Sequence, residues 1–377
     1  MTVPVMGGDP SPDRNHGDRI AAPGETVGIL GGGQLGRMMA IAAARLGYQV
    51  HIYCPESDPP AAQVANLVTT APYDDRTALA EFAAGCAVIT YEFENVPHAA
   101  ASFLERQCPV RPSPSVLAIA QDRIAEKDFV TNLGIGTALY RAVDSVEQMA
   151  DAITDIGRPA VLKATRFGYD GKGQAKIAET GELDYQSIWD QMGGQRAILE
   201  GFVPFEREVS VVVARSLDGS VATFSVTENE HRNHILWTST APARISPILG
   251  ARADDIARRI AHALDLVGLI AVEMFVCADG SVLVNELAPR PHNSGHWTID
   301  ACVTDQFEQS IRAVCGLPLG ETERLSDAVM TNLLGHDIDA YPVFLSEPRT
   351  KLHLYGKSEA REGRKMGHVT RLFPRGR

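Results

Sequence analysis

The sequence predicts an α/β domain built on a parallel sheet, then a larger α+β region of antiparallel sheets, then a short β-rich and basic C-terminal part. Three observations predict it. A strand, a glycine turn, a helix and a second strand follow one another between Thr26 and Tyr53. Strands outnumber helices between Ala160 and Leu287. Asp279-Gly280 stands between two alternating apolar runs, a strong short-range hairpin signal.

Taken in order, residues 1–24, rich in Pro, Gly and Asp, read as an unstructured leader without a signal-peptide apolar core. Thr26 to Leu30 is a short apolar strand, Gly31 to Gly36 a glycine turn, Arg37 to Leu46 a helix, and Tyr48 to Tyr53 the next strand. Thr77 to Ala84 reads as a helix, Ala87 to Tyr91 as a strand, and Pro97 as the first residue of a further helix. After a helix over Asp122 to Leu133 come strands at Ala160 to Ala164, Ala197 to Phe202, Val209 to Arg215 and Val221 to Val226. A helix over Asp254 to Leu266 leads into strands Ile270 to Cys277 and Ser281 to Leu287; a helix near Gln306 to Val314 and strands at Val329 to Leu334 and Lys351 to Tyr355 close the pattern.

At 377 residues the chain is long enough for more than one core, at about 150 residues per domain. Hydrophobic residues at 45% and charged residues at 22% are those of an ordinary globular protein, which excludes a disordered chain or a fibre. The net charge of −12 disfavours wholesale binding to nucleic acid or anionic membrane. The exception is Arg349 to Arg377, where Lys and Arg far outnumber the two acids Glu359 and Glu362. That segment reads as a solvated end, as a clamp for a substrate phosphate through Lys357, Arg364 and Lys365, or, more weakly, as an RNA contact. The six cysteines have no metal-ligand spacing and read as buried thiols, no run is long enough to span a bilayer, and a cytoplasmic protein is expected.

The hairpin carries the most informative pair. If Asp279-Gly280 alone forms the turn, Glu273 stands opposite Glu286, Phe275 opposite Val284 and Cys277 opposite Val282, all on one face. Like charges placed directly across a ladder are destabilising, so something positive must sit near them. Two hard carboxylates with Asn285 beside them suit Mg²⁺ completed by nucleotide phosphates. A surface pair fixed by Lys, a register slip, and a shared proton are the competing readings.

Three other segments carry polar chemistry. Gly168-Tyr-Asp-Gly-Lys-Gly-Gln174 follows Lys163 at the end of an apolar strand and offers amides and a cation to polyphosphate, although no P-loop pattern occurs. Gly31-x-Gly33-x-x-Gly36, with Glu56 twenty residues beyond Gly36, matches a dinucleotide fingerprint; its amides would serve equally for a single phosphate or for close helix packing. Arg290, His292, Asn293, Ser294 and His296 crowd the segment that continues from the carboxylate strand, and Arg290 is placed to stabilise negative charge on a transferring phosphoryl or carboxyl group.

Seven motifs together resemble one family over essentially the whole chain after the leader. They are Gly31-Gly-Gly-Gln-Leu-Gly-Arg-Met38, Tyr91-Glu-Phe-Glu-Asn95, Gln121-Asp-Arg123, Gly168 to Gln174, Asn285-Glu-Leu-Ala-Pro-Arg290, His292-Asn-Ser-Gly-His-Trp297 and Gly363-Arg-Lys-Met-Gly-His368. In this order they are similar to the N5-carboxyaminoimidazole ribonucleotide synthases, ATP-grasp ligases of purine synthesis. The resemblance implies a pre-ATP-grasp domain (Rossmann-like) over 25–120, a two-lobed ATP-grasp domain over 121–315 and a small C-terminal domain over 316–377. It implies ATP, bicarbonate and 5-aminoimidazole ribonucleotide as substrates, Mg²⁺ without biotin, a homodimer, and hand-off of product to the following mutase. A sister ligase acting with formate on another purine intermediate is the nearer alternative, against which the Gly363 to His368 motif argues; a nicotinamide oxidoreductase would rest on the first glycine motif alone.

Carried over by motif, Arg123, Lys163 and the Gly168 to Gln174 lid (Gly168, Tyr169, Asp170, Gly171, Lys172, Gly173, Gln174) are expected at ATP. With them come Glu200, Gly201, Phe202 and Val203 at the adenine hinge, Glu208 at the ribose, and His231, Asn285 and Glu286 at the nucleotide. Glu273 and Glu286 match the metal ligands. Gln34, Leu35, Glu92, Tyr169, Asp170, Arg290, His292, Asn293 and Ser294 are expected around the aminoimidazole ribonucleotide, with Lys357, Arg364 and Lys365 at its phosphate. Arg290, Asp170 and Lys163 are the expected catalytic residues. Ala164 and Thr165 depart from the more basic residues expected there.

Overall fold

The computed structural model describes residues 18–166 and 173–376. The first sheet is parallel, with β1 (Thr26–Leu30), β2 (Gln49–Cys54), β3 (Leu67–Thr70) and β4 (Val88–Tyr91) in the spatial order β3-β2-β1-β4. Strand β1 is central and almost wholly buried, as parallel strands covered on both faces are. Helix α1 (Gln34–Arg45) connects β1 to β2 and α2 (Arg76–Ala84) connects β3 to β4, while α3 (His98–Glu105) and α4 (Pro114–Gln121) follow β4 and lead out of the domain. Chain order reverses between β1 and β4, so the loops after them flank a topological switch point, where open α/β sheets bind ligands.

Packing begins before Glu25, which corrects the expected leader at its C-terminal end. Ala21 is fully buried; its N–H donates to the Cys315 carbonyl at 2.9 Å, and its carbonyl accepts from the Tyr48 hydroxyl at 2.7 Å. Residues 1–17 of the expected leader lie outside the described residues.

Helix α5 (Arg123–Asn132) opens on Asp122, whose carboxylate accepts from the Ile124 and Ala125 amides. A four-stranded antiparallel sheet follows, β5 (Tyr140–Val143), β6 (Ala160–Ala164), β7 (Gln174–Ile177) and β8 (Ala197–Gly201), ordered β5-β8-β6-β7. Helices α6 (Val146–Ile156) and α7 (Tyr185–Gln191) lie in its connections, and Met149, Ile153 and Trp189 join Leu162 and Leu199 in one core.

The largest sheet has nine strands: β9 (Phe205–Arg215), β10 (Val221–Thr223), β11 (Thr227–Arg232), β12 (Ile235–Ala241), β13 (Gly268–Cys277), β14 (Val282–Ala288), β15 (Asp327–Leu334), β16 (Thr350–Leu354) and β17 (Lys365–Phe373). Its order is β14-β13-β9-β11-β12-β15-β17-β16, with β10 paired to β9, so the C-terminal strands extend the same sheet. The alternation of β13 fixes the two faces. Ile270, Val272, Met274 and Val276 pack with helix α8 (Pro247–Ala263), while Leu269 and Ala271 turn to the other face and to Trp297. Glu273 and Phe275 fall on that second face by the same period.

The basic tail is only in part a solvated end: Arg349, Lys351, Arg361 and Arg375 are exposed, but the segment also carries an inner strand. Strand β17 lies between β15 and β16 with Met366 to Thr370 buried. Arg371 pairs with Glu347 at 2.8 Å and Arg375 with Glu323 at 2.7 Å, so carboxylates answer part of the positive charge. Short helix α9 (Thr298–Ala301) and helix α10 (Gln306–Cys315) follow the polar segment after β14; Phe307 and Ile311 of α10 pack with Met39 of α1 and tie the first domain to the large sheet. All six cysteines are free thiols, and among the described residues no helix is long and apolar enough to cross a membrane.

Candidate active site

Glu273 and Glu286 do face each other across β13 and β14, but the register around them differs from the expected one. The Cys277 amide donates to the Ser281 carbonyl at 3.0 Å, and Gly280 has φ +77°, so the loop is Ala278-Asp279-Gly280 with glycine in the left-handed position. Phe275 therefore pairs with Leu283 and Val276 with Val282, in place of the expected pairs with Val284 and of Cys277 with Val282. A bulge at Asn285, between the Met274–Val284 and Glu273–Glu286 pairs, restores the count.

That bulge decides the chemistry. Val282, Val284 and Leu287 all pack into the core beneath α8, so strict alternation would have driven Glu286 into that core. The extra residue turns Asn285 and Glu286 towards the same cavity. Of the apolar strip expected beside the glutamates, Val282 and Val284 belong instead to the opposite face, while Phe275 stays on the face of Glu273.

The cavity measures about 340 Å³ and is walled by all three parts of the chain. Each glutamate meets a nitrogen partner: His292 Nε2 is 3.1 Å from Glu273, and Arg123 Nη1 is 3.3 Å from Glu286. Burial works to raise the Glu273 pKa, but the hydrogen bond and charge of His292, with His231 and Arg290 behind it, hold it below the usual carboxylate range. Arg290 is ion-paired with Glu94. Burial disfavours its charge, yet Glu94, Glu286 and Glu273 outweigh burial and keep the guanidinium ionised. Nearby, His231 is hydrogen-bonded to Glu208, whose carboxylate offsets burial and raises the imidazole pKa.

The residues present fit a divalent cation. Two carboxylates on adjacent strands offer hard oxygens, and both polar atoms of the Asn293 amide, buried at the cavity wall, lack a hydrogen-bond partner among the described residues. Buried amides are rarely left so unless another group completes them. Two protein carboxylates are what Mg²⁺ ordinarily takes when phosphates supply further ligands.

Three family models match the chain: the ribonucleotide synthetase preATP-grasp domain over residues 24–121, the ATP-grasp domain over 128–307, and the phosphoribosylaminoimidazole carboxylase C-terminal domain over 328–375. The N5-carboxyaminoimidazole ribonucleotide synthase of Brucella melitensis biotype 1 is 54% identical over 353 residues, covering 94% of this chain and 98% of the relative. The chain belongs to the N5-carboxyaminoimidazole ribonucleotide synthase family. A solved N5-carboxyaminoimidazole ribonucleotide synthetase in complex with ADP has TM-score 0.91 and 46% identity, over 95% of this chain and 94% of that one. A synthase from Aspergillus clavatus in complex with ADP and 5-aminoimidazole ribonucleotide has TM-score 0.85 and 29% identity, over 93% and 94%. Membership makes the chain an ATP-grasp carbon–nitrogen ligase.

Of the residues expected from this synthase family at the nucleotide, Arg123, Lys163, Gly173, Gln174, Glu208, His231, Asn285 and Glu286 line the cavity. Gly168, Tyr169, Asp170, Gly171 and Lys172 lie outside the described residues. Glu200 does not line the cavity: it is buried, accepts from Lys163 Nζ at 2.6 Å, and stands 3.8 Å from Lys127 Nζ. Burial opposes its charge, and the two lysines overcome that and lower its pKa. Gly201, Phe202 and Val203 follow at the end of β8, with Phe202 exposed.

On the ribonucleotide side, Arg290, His292, Asn293 and Lys365 reach the cavity, whereas Gln34, Leu35, Glu92, Ser294, Lys357 and Arg364 do not line it. Ser294 is fully buried, receiving a hydrogen bond from Ser210 at 2.7 Å and contacting His292 Nδ1 at 2.8 Å. Glu92 answers the glycine fingerprint. Its carboxylate accepts from the Gly33 and Gly36 amides, and a side chain at Gly33 would meet that carboxylate at 2.7 Å. The helix terminus read as a phosphate or dinucleotide cradle is thus filled by an internal acid. Burial raises the Glu92 pKa against the pull of those amides.

Sequence reasoning missed Glu94, His234, Leu236, Lys127 and Gln306. Glu94 sat inside a quoted motif as an acid with no partner assigned. His234 lines the cavity from a two-residue turn, in which Asn233 and His234 both have positive φ without the glycine that usually marks such turns. Gln306 acts on the site from beneath. Its amide accepts from the His292 N–H at 2.9 Å and donates to the His292 carbonyl at 2.8 Å, so one buried side chain holds the backbone of the polar segment.

Proposed function

We propose that the chain carboxylates the exocyclic amine of 5-aminoimidazole ribonucleotide with bicarbonate, converting ATP to ADP and phosphate and yielding N5-carboxyaminoimidazole ribonucleotide. The observation that carries this reading is one cavity holding Glu273, Glu286, Arg123 and Lys163 together with Arg290, His292, Asn293 and Lys365. A bicarbonate oxygen attacks the γ-phosphorus, the bridging bond to ADP breaks, and carboxyphosphate forms. The amine nitrogen then bonds to the carboxyl carbon, phosphate departs with the electron pair of the broken C–O bond, and the nitrogen gives up a proton.

Arg123 and Lys163 spread the charge of the phosphates, and Arg290, fixed by Glu94, faces the charge that develops on the carboxyl group. Glu273 and Glu286 would hold magnesium, which would supply Lewis-acid stabilisation of the phosphate charge. Asp170 is proposed to position the amine. A cytoplasmic homodimer that passes its product to a mutase completes the reading and rests on the family alone. Phosphate release from ATP and bicarbonate, measured with and without the ribonucleotide, tests it: marked stimulation by the ribonucleotide is expected, and stimulation only by a different amine overturns it.

A phosphate clamp that includes Lys357, which stands outside the cavity lining, rests on the family motif and gives a pH prediction. Burial lowers the Lys357 pKa to about 8, with Arg364 and Lys365 adding to it and Glu92 opposing, while its Nζ donates to the Lys365 carbonyl at 2.7 Å. Below that value the ammonium is charged and attracts the substrate phosphate; above it the charge is lost. KM for the ribonucleotide is therefore expected to rise several-fold between about pH 7 and pH 9.5 with kcat for bound substrate nearly constant. In Lys357→Arg, with a guanidinium that stays charged, the profile should flatten. An unchanged profile in that variant excludes Lys357 as the cause.

A further inference from the structure

Strand β14 is an edge of the nine-stranded sheet; among the described residues no strand pairs with its outward side, where an isolated bridge at Thr137 lets the Val284 N–H donate to the Gly136 carbonyl at 2.8 Å. Two adjacent side chains of α5 hold the rest of the bulged stretch. Lys127 Nζ donates to the Asn285 carbonyl at 2.8 Å and the Val284 carbonyl at 3.3 Å, and Glu126 accepts from the Leu287 N–H at 2.7 Å. Both side chains are almost fully buried, at 1% and 2% exposure, where an ammonium or carboxyl group is costly without such partners. The third direction of the Lys127 ammonium faces Glu200 on the other sheet. The contacts bracket Glu286 on both sides in sequence, and that residue faces the cavity only because of the bulge.

We infer that Glu126 and Lys127 are positioning residues: they splint the bulged edge strand so that Asn285 and Glu286 stay turned into the cavity, and thereby set the affinity of the site for a divalent cation. This rests on the reading that Glu273 and Glu286 hold that cation. Neither residue belongs to the site set carried over from the family motifs, and neither lines the cavity.

The test uses the full chain with ADP bound and follows protein-dependent Mn²⁺ binding by the resonance signal of the free ion, with ADP affinity in EDTA measured separately by calorimetry. Glu126→Leu removes the acceptor for Leu287; Glu126→Gln keeps an acceptor oxygen of the same reach. Supporting side chains of metal ligands are worth about 10–100-fold in metal affinity, so Glu126→Leu is expected to weaken Mn²⁺ binding at least about tenfold. ADP binding in EDTA stays within about twofold, and Glu126→Gln recovers the Mn²⁺ affinity, because the hydrogen bond rather than the charge does the holding. A merely structural role would weaken both ligands together, and that result overturns the inference, as does unchanged Mn²⁺ binding in Glu126→Leu. Should Glu126→Leu fail to fold, Lys127→Met, which keeps the Leu287 bond, must show the weakened Mn²⁺ affinity. If the unaltered chain binds no Mn²⁺ beyond that held by ADP, the carboxylate assignment falls; if it does and the variants match it, only the splint falls.

Discussion

Glu286→Gln is expected to reduce kcat by about a thousandfold or more while leaving the fold intact. The glutamine has the shape of the native side chain but lacks the charge that, with Glu273, would hold a divalent ion against the phosphates. Losing that charge stabilisation forfeits roughly 4 kcal/mol in the transition state, or about three decades of rate. The expected effect on stability is small for two opposing reasons. The ion pair to Arg123 is lost, but the Glu286 side chain is 38% exposed, and such pairs contribute about 0–1 kcal/mol. One of two acids placed directly across a ladder is also neutralised, which relieves repulsion. Thermal unfolding should shift by no more than about 3 °C. A variant that folds normally and keeps a tenth of its turnover would refute the metal assignment.

How legible was this site in the sequence? The opposed glutamates were readable, but through two displacements that cancel. A three-residue loop replaces the assumed two-residue turn, and a bulge at Asn285 gives the residue back. Hairpin signals locate a turn well; they do not reveal a bulge, whose cause here is tertiary, namely α5 side chains waiting for backbone groups. Composition left the C terminus open. Nine cations in a short stretch suggested solvent, a substrate phosphate or RNA; β17 is an inner strand with Met366 to Thr370 buried in a row, its Arg371 meets Glu347, and Arg375 beyond it meets Glu323. The glycine fingerprint gave the right local fold and the wrong occupant, because Glu92 arrives from a strand more than fifty residues away. Local patterns report the turn, the strand and the helix; they cannot report which distant acid fills the space between.

Arg290 carries the second large effect, and its pairing with Glu94 dictates how to measure it. Arg290→Met alone would leave the largely buried Glu94 without its cation in the cavity that also holds Glu273 and Glu286, a change that costs up to about 3–5 kcal/mol where such a pair is fully buried. Loss of activity in that variant would be ambiguous. Glu94 is held at about pKa 2 because Arg290 overrides the effect of burial, so removing the arginine would force the carboxyl group to take up a proton or the segment to rearrange. The paired variant Arg290→Met with Glu94→Gln removes both charges and keeps both shapes, and replacement of a buried ion pair in this way is often neutral for stability. Its melting temperature is therefore expected to recover most of what Arg290→Met loses, and ADP affinity to stay close to that of the unaltered chain. Ribonucleotide-stimulated phosphate release should not recover, remaining about 10²–10³ below the starting rate, the usual cost of one preorganised electrostatic donor. Arg290→Lys should also remain deficient, since a point charge cannot reproduce the planar fork that meets Glu94 and the cavity together. If turnover returns along with stability in the paired variant, Arg290 serves the fold alone; if stability returns and turnover does not, the guanidinium acts on the reacting groups.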